Sequence, residues 1–127
     1  MTDAKKLVLV VDDEPDVRTF ITAVLEDNGY RTVTAADGVQ ALEQVKAEQP
    51  ALITLDVTMP EKSGVRCYRD LREGETTKAI PIVIITGVSE DFQKFISTRK
   101  QVPPPDGYLA KPISAEGLLA EVRKLIG

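Results

Sequence analysis

Histidine and tryptophan are absent from this chain of 127 residues, and its only cysteine is Cys67. Without histidine, neither Ser-His-Asp nor Cys-His catalysis is available, and histidine metal ligands are excluded. A single cysteine cannot form a disulfide within the chain and fits a reducing compartment, so we expect Cys67 to pack in the core. Any chemistry must therefore use carboxylates, hydroxyls and lysines.

Concentrated positive charge and long hydrophobic runs are also missing. The chain carries 16 Lys and Arg against 20 Asp and Glu, a formal net charge of −4. Nucleic acids and anionic membranes bind to concentrated basic faces, so we expect neither as a partner. The polar start, Met1 to Lys6, leads into an apolar run too short for a signal peptide or a membrane span. These features predict a cytoplasmic protein whose partners are other proteins or small anions.

The length predicts one compact domain, residues 1–127, and the hydrophobic pattern predicts alternating strands and helices. The predicted strands are Leu7 to Val11, Arg31 to Ala35, Ala51 to Leu55, Ile82 to Ile85 and Tyr108 to Ala110. The first, third and fourth are apolar runs typical of strands buried on both faces. The second is more polar, so we expect it near an edge of the sheet.

Five helices are predicted from apolar residues that recur at steps of three and four. Their apolar positions are Val17, Phe20, Ile21, Val24 and Leu25; Ala41, Leu42 and Val45; Val65, Tyr68 and Leu71; Phe92, Phe95 and Ile96; and Leu118, Leu119, Val122, Leu125 and Ile126. Pro15 suits the start of the first helix and Gly29 its end, while Ser89 and Ser114 are candidate N-caps. Strict alternation implies parallel strands joined by right-handed crossovers, hence a doubly wound α/β fold.

Polar residues follow four of the predicted strands. They are Asp12, Asp13 and Glu14 after the first strand, Asp56 after the third, Thr86 after the fourth and Lys111 after the fifth. A lone acidic residue after a strand is usually a helix cap or part of a solvated loop. In doubly wound sheets, however, ligands bind beyond the carboxyl ends of the strands, so the convergence of these residues predicts a functional site.

Carboxylates gathered beyond the carboxyl ends of the strands need a positive charge among them. Each pair at ~4 Å costs about 4 kcal/mol at an effective dielectric constant of about 20. Lys111 offsets one charge, and an oxygen-only site suits Mg²⁺ or Mn²⁺. Asp56 follows the central strand and is the best candidate nucleophile toward phosphorus. The metal ion and Lys111 would neutralise a transferred phosphoryl group, and Thr86 would donate a hydrogen bond to it.

Four motifs occur in order over essentially the whole chain. They are Val10-Val11-Asp12-Asp13-Glu14, then Leu55-Asp56-Val57-Thr58-Met59-Pro60 with Gly64, then Ile84-Ile85-Thr86-Gly87, then Tyr108-Leu109-Ala110-Lys111-Pro112. With these motifs the chain resembles the receiver domains of two-component response regulators, the superfamily of the chemotaxis regulators. The resemblance implies a flavodoxin-like, five-stranded parallel sheet in the order 2-1-3-4-5 with five helices.

The resemblance also implies a role for each matching residue. Asp56 matches the aspartate that accepts a phosphoryl group from a phosphohistidine kinase, and Lys111 matches the lysine that contacts the phosphoryl oxygens. Asp12 and Asp13 match the acidic pair that organises Mg²⁺, with Asp56 and the backbone carbonyl of Thr58 as further ligands. The site would thus be a phosphoacceptor site with a bound metal ion.

Two further positions match the switch pair of the family. The hydroxyl of Thr86 would move toward the phosphoryl group, and the ring of Tyr108 would turn inward; without the family, Tyr108 reads as an ordinary edge-strand aromatic. The bond between Lys111 and Pro112 is commonly cis in such domains. A receiver is not an enzyme in the usual sense, because it assists only its own phosphorylation and dephosphorylation.

The implied partner is a sensor histidine kinase or a phosphotransfer protein. A homodimer would form through the fourth predicted helix, the fifth strand and the last helix. One segment of that face departs from the family pattern, since Gln101 to Asp106 contain Pro103, Pro104 and Pro105 where receivers commonly carry Gly-Ala. Three prolines cannot continue a helix, so we expect the fourth helix to end near Lys100. The segment is either a rigid loop filler or part of an altered output surface.

Three alternative functions share a similar fold. A flavin-binding module needs a phosphate loop rich in Ser, Thr and Gly after the first strand, whereas acidic residues stand there. An aspartate-dependent phosphatase would carry a second acid two residues after Asp56, where the chain has Thr58. A receiver-like interaction module that is never phosphorylated remains open, although every key residue of a receiver is present.

Overall fold

The protein is described from a computed structural model that covers residues 5–57, 63–87 and 106–127, except for the side chains of residues 63–65 and 86. The described strands are β1 (Leu7–Val11), β2 (Arg31–Ala35), β3 (Leu52–Asp56), β4 (Ile82–Thr86) and β5 (Gly107–Ala110). They form one parallel sheet in the order β2-β1-β3-β4-β5, which confirms the predicted topology. The polar strand β2 lies at an edge, as its composition predicted.

Two of the strand ends differ from the prediction in a way that concerns the site. Asp56 and Thr86 are the last residues of β3 and β4 rather than the first residues beyond them. Each is paired with a neighbouring strand, Asp56 with Ile85 and Thr86 with Ala110. The prediction placed the strand ends where the apolar run stops, but the ladder of backbone hydrogen bonds continues for one more residue.

The described helices are α1 (Pro15–Asp27), α2 (Gly38–Ala47), α3 (Ser63–Glu73) and α4 (Ala115–Ile126). Pro15 occupies the start of α1, and Gly29, just past its end, has a φ of 93° that favours glycine. Ser114 caps α4 by accepting a hydrogen bond from the backbone N–H of Gly117 at 3.0 Å. The helix predicted around Phe92, its cap and the proline run lie outside the described residues. None of the described helices has the length and apolar character needed to cross a membrane.

Helices cover both faces of the sheet and bury two apolar clusters. One cluster joins β1 to α1 and α4 through Val8, Val10, Ile21, Leu25, Leu118 and Val122. The other joins β1 to α2 and α3 through Leu9, Val11, Ala41, Val45, Cys67, Tyr68 and Leu71. Each fully buried Val, Leu or Ile side chain in these clusters stabilises the fold by about 1.5–3 kcal/mol relative to an exposed one. Cys67 is buried in the second cluster, so its predicted packing role is confirmed.

A buried arginine ties α3 to the beginnings of β4 and β5. The side chain of Arg72 is 5% exposed. Its guanidinium donates hydrogen bonds to the hydroxyl of Tyr68, the carbonyls of Lys78 and Ile80, and Oδ2 of Asp106. The same Asp106 oxygen accepts the backbone N–H of Ile82 at 2.9 Å. This clip lies at the end of the sheet opposite to the predicted site.

Candidate functional site

The predicted site lies where β1 and β3 end side by side. The parallel register pairs Val11 with Leu55, so Asp12, just beyond β1, stands beside Asp56, the last residue of β3, at the carboxyl end of the sheet. The backbone N–H of Asp12 donates to the carbonyl of Ala35 at 3.1 Å, which fixes the chain just beyond β1. The fold therefore brings together two carboxylates that are distant in sequence.

Four carboxylates meet at this carboxyl end of the sheet. Asp12, Asp13, Glu14 and Asp56 each offer one oxygen atom, and these oxygens all lie within 4.8 Å of one another. Asp12 and Asp56 are buried, at 0% and 1% exposure, whereas Asp13 and Glu14 are exposed. The site thus has a buried base formed by the strand ends and an open rim formed by the following loop.

Lys111 supplies the positive charge that this cluster needs. Its Nζ donates to Glu14 Oε1 at 2.7 Å and to Asp56 Oδ2 at 3.2 Å, and it lies 3.5 Å from Asp12 Oδ2. Burial alone would lower the pKa of Lys111, but the hydrogen bond to Glu14 and the charges of Asp56 and Asp12 outweigh burial and raise the pKa above its ordinary value. Lys111 is therefore protonated at any physiological pH.

The burial of Asp12 carries an electrostatic cost. Burial raises the pKa of its carboxyl group from 3.8 to about 6, against the effect of the hydrogen bond that Oδ1 accepts from the backbone N–H of Glu14. The negative charge of Asp56 contributes to this raised pKa, and the charge of Lys111 opposes it. Oδ2 of Asp12 is buried and has no hydrogen-bond partner within the described residues. A cation bound at this oxygen would remove that cost.

Sequence reasoning missed two polar residues near the cluster. Arg18 donates from Nη1 to the backbone carbonyl of Asp12 at 2.6 Å, which helps to hold the loop after β1. Thr54 lies on the same face of β3 as Asp56, and its Oγ1 is buried with no hydrogen-bond partner in the described part of the chain. Thr54 could have been noticed as a hydroxyl within an otherwise apolar strand, whereas no local pattern pointed to Arg18.

Three further residues were predicted to belong to the site or to its switch, and the structure describes only two of them in part or in full. Thr86 is the last residue of β4, but its side chain, like the whole of Thr58, lies outside the described residues. Tyr108 lies on the edge strand β5 and is 47% exposed. The peptide bond between Lys111 and Pro112 is cis, as the resemblance implied.

Comparisons with known proteins agree with this arrangement. The family model of the response regulator receiver domain matches residues 8–123. The chain is 35% identical over 121 residues to the alkaline phosphatase synthesis transcriptional regulatory protein PhoP of Bacillus subtilis (strain 168), covering 95% of this chain and 48% of that protein. It is 34% identical over 121 residues to the phosphate regulon transcriptional regulatory protein PhoB of Escherichia coli (strain K12), covering 94% and 51%. The chain spans about half the length of the curated relatives it matches.

Solved structures show the same similarity. The chemotaxis response regulator CheY4 of Vibrio cholerae has a TM-score of 0.84 at 28% identity, covering 97% of this chain and 100% of that chain. The receiver domain of a sensor histidine kinase from Pseudomonas aeruginosa PAO1 also has a TM-score of 0.84 at 28% identity, covering 98% and 99%, and holds a magnesium ion in its active site cleft. The chain belongs to the receiver domain family of two-component response regulators.

Proposed function

We propose that this receiver domain, residues 1–127, accepts a phosphoryl group on Asp56 in a Mg²⁺-dependent reaction. The observation that carries the proposal is the contact of Lys111 Nζ with Asp56 Oδ2 at 3.2 Å, inside a group of four carboxylates. Asp56 is the buried carboxylate at the end of a central strand, so the rest of the fold holds its position. A carboxylate held beside a permanent ammonium group suits attack on an anionic phosphorus centre.

The donor atoms at the site fit a magnesium ion. Asp12, Asp13 and Asp56 would hold it through carboxylate oxygens, with the backbone carbonyl of Thr58 as a further ligand. The buried Oδ2 of Asp12 supports this assignment, because it has no hydrogen-bond partner in the described residues and a cation would satisfy it. The similar Pseudomonas receiver with a magnesium ion in its cleft supports it as well. When bound, the ion would offset the carboxylate charges and polarise the phosphoryl oxygens; Mn²⁺ suits the same ligands.

In the proposed transfer, a carboxylate oxygen of Asp56 attacks the phosphorus atom of a phosphohistidine. The new O–P bond forms as the N–P bond breaks, and the electron pair of the broken bond stays on the imidazole nitrogen. Lys111 donates hydrogen bonds to the phosphoryl oxygens and so stabilises the charge spread over them. The product is an acyl phosphate on Asp56, and the domain is a phosphoacceptor rather than a turnover enzyme.

The proposed output is a change of a protein-interaction surface. The hydroxyl of Thr86 would move toward the phosphoryl group, and Tyr108, now 47% exposed, would turn inward. The donor would be a sensor histidine kinase or a phosphotransfer protein in the cytoplasm, and a homodimer would use the face that includes β5 and α4. Membership of the receiver family supports these assignments.

Phosphorylation of the isolated chain tests the proposal directly. We expect the wild type, incubated with Mg²⁺ and acetyl phosphate, to gain the mass of one phosphoryl group, and Asp56→Asn to gain none. Asp27→Asn is the matched control, since Asp27 is an exposed aspartate at the end of α1. Mass spectrometry of the intact proteins at acidic pH, at which acyl phosphates survive longest, gives the readout.

Two results would contradict the proposal. If the wild type gains no mass in the presence of Mg²⁺, the chain is a receiver-like interaction module that is never phosphorylated. If Asp56→Asn gains the same mass as the wild type, another residue is the acceptor. Chelation of Mg²⁺ should reduce the incorporation of phosphate to the background level.

A further inference from the structure

We propose that Glu14 is a latch for Lys111: its carboxylate holds the ammonium group at the rim of the site, and the phosphoryl group must displace it. This inference rests on the proposed phosphoryl transfer to Asp56, and it concerns how readily Lys111 becomes available. Glu14 would be a positioning residue that acts through Lys111. Removal of the latch should make phosphorylation faster.

The contact distances identify Glu14 as the strongest partner of Lys111. Nζ lies 2.7 Å from Glu14 Oε1, 3.2 Å from Asp56 Oδ2 and 3.5 Å from Asp12 Oδ2. The shortest of these is the distance of a charge-assisted hydrogen bond. An ammonium group has only three donors, so the one given to Glu14 is not available to a phosphoryl oxygen.

Burial shows which partner can be exchanged. Asp12 and Asp56 are fixed at the base of the site, with side chains 0% and 1% exposed, whereas the side chain of Glu14 is 58% exposed. An incoming group that approaches from solvent meets the exposed rim, where Glu14 is the carboxylate bonded to Lys111. The exposed carboxylate can swing into water at little cost, while the two buried ones cannot.

The backbone around Glu14 aims its side chain at Lys111. The N–H of Glu14 donates to Asp12 Oδ1 at 2.9 Å, and its carbonyl accepts the N–H of Arg18 at 3.1 Å. Glu14 is the N-cap residue of α1, yet its side chain makes no capping hydrogen bond there. The carboxylate is therefore not engaged by the helix and remains with Lys111.

The expected effect is modest because the pair is partly exposed. Ion pairs of this kind change an equilibrium by roughly two- to fivefold. A latch of this strength would slow phosphorylation without preventing it. The size of the effect makes a charge-matched control necessary, since removal of any negative charge near the site should favour an anionic donor.

Glu14→Gln, with Asp16→Asn as its control, tests the latch. Asp16 is exposed in the first turn of α1 and makes no hydrogen bond or ion pair with Lys111 in the described part of the chain. Both substitutions remove one negative charge, but only the first one frees Lys111. At saturating Mg²⁺ and limiting acetyl phosphate, we expect the initial rate for Glu14→Gln to exceed that of Asp16→Asn by about two- to fivefold.

Two measurements without phosphorylation complete the test. In the metal-free protein, the side-chain ammonium protons of Lys111 should exchange with water faster in Glu14→Gln than in Asp16→Asn, as seen by nitrogen-15 NMR. The affinity for Mg²⁺ should be equal in the two variants. A tenfold weaker affinity in Glu14→Gln alone would make Glu14 a metal ligand and overturn the latch.

Equal phosphorylation rates in Glu14→Gln and Asp16→Asn would also overturn the latch while leaving the proposed function intact. If the wild type and Asp56→Asn both take up no phosphoryl group, the proposed function fails instead. The ammonium exchange measurement then decides by itself whether Glu14 holds Lys111.

Discussion

At the scale of single residues, two buried polar atoms of this domain reduce its stability as long as no hydrogen-bond donor, acceptor or cation binds to them. Oδ2 of Asp12 and Oγ1 of Thr54 are both buried without a hydrogen-bond partner in the described residues. For Asp12, burial raises the pKa of the carboxyl group to about 6, so its charged form is destabilised at neutral pH. That cost has a functional reason, because a buried carboxylate oxygen without a hydrogen-bond partner is a ready ligand for a cation.

Thr54 has no such role in the proposed reaction, so its hydroxyl should cost stability. We expect Thr54→Val, which keeps the branched shape and removes the hydroxyl, to raise the free energy of unfolding by about 1 kcal/mol. Thr34→Val is the control, because Thr34 is exposed on β2 and should change stability by less than about 0.5 kcal/mol. Urea denaturation measures both. A lower stability of Thr54→Val would mean that the hydroxyl has a partner, such as a bound water molecule.

At the scale of elements, the strands that form the site are anchored at their opposite ends. The clip formed by Arg72 and Asp106 joins the end of α3 to the first residues of β4 and β5. Asp106 stands directly before β5, and β5 leads to Lys111. The clip thereby fixes the edge strand that carries the ammonium group to the site.

Removal of this guanidinium should be strongly destabilising. We expect Arg72→Met to lower the free energy of unfolding by about 3 kcal/mol, since it removes the side-chain donor to the carbonyls of Lys78 and Ile80 and the cationic partner of Asp106. Arg66→Met is the matched control on the same helix, because Arg66 is exposed. Chemical denaturation of the two variants measures the difference. A loss of less than about 1 kcal/mol for Arg72→Met would show that the clip contributes little.

At the scale of the whole molecule, the folded sheet alone brings the carboxylates together, so the binding of Mg²⁺ should be coupled to folding. We expect Mg²⁺ at ten times its dissociation constant to raise the free energy of unfolding by about 1.4 kcal/mol. Asp13→Asn should reduce this gain by weakening the affinity. Thermal unfolding with MgCl₂, compared with NaCl at equal ionic strength, gives the measurement. An equal shift with both salts would argue against a specific metal site.

Much of the molecule was predictable because local patterns determined it. The apolar runs of β1 and β3 reflect burial on both faces of the sheet, and the apolar stripe of α1 reflects burial on one face of the helix. The structure confirms the parallel sheet that the alternation of strands and helices implied, and the strand order that the family resemblance implied. The position of Asp56 within β3, rather than after it, was not predictable, because the neighbouring strand decides how far the ladder extends. The same holds for Arg18, whose partner is a carbonyl in another segment.

The sequence alone determined which residue types reach the carboxyl end of the sheet: three acidic residues after β1, one at the end of β3 and a lysine after β5. The acidic residues define a site that suits a cation, and the lysine beside them allows the same site to accept an anion. Only the tertiary structure decided that Lys111 lies closer to Glu14 than to Asp56, and that Asp12 keeps one buried oxygen without a hydrogen bond from the described residues. Distances across strands depend on register and packing, whereas the residue types near the end of each apolar run can be taken from the local sequence.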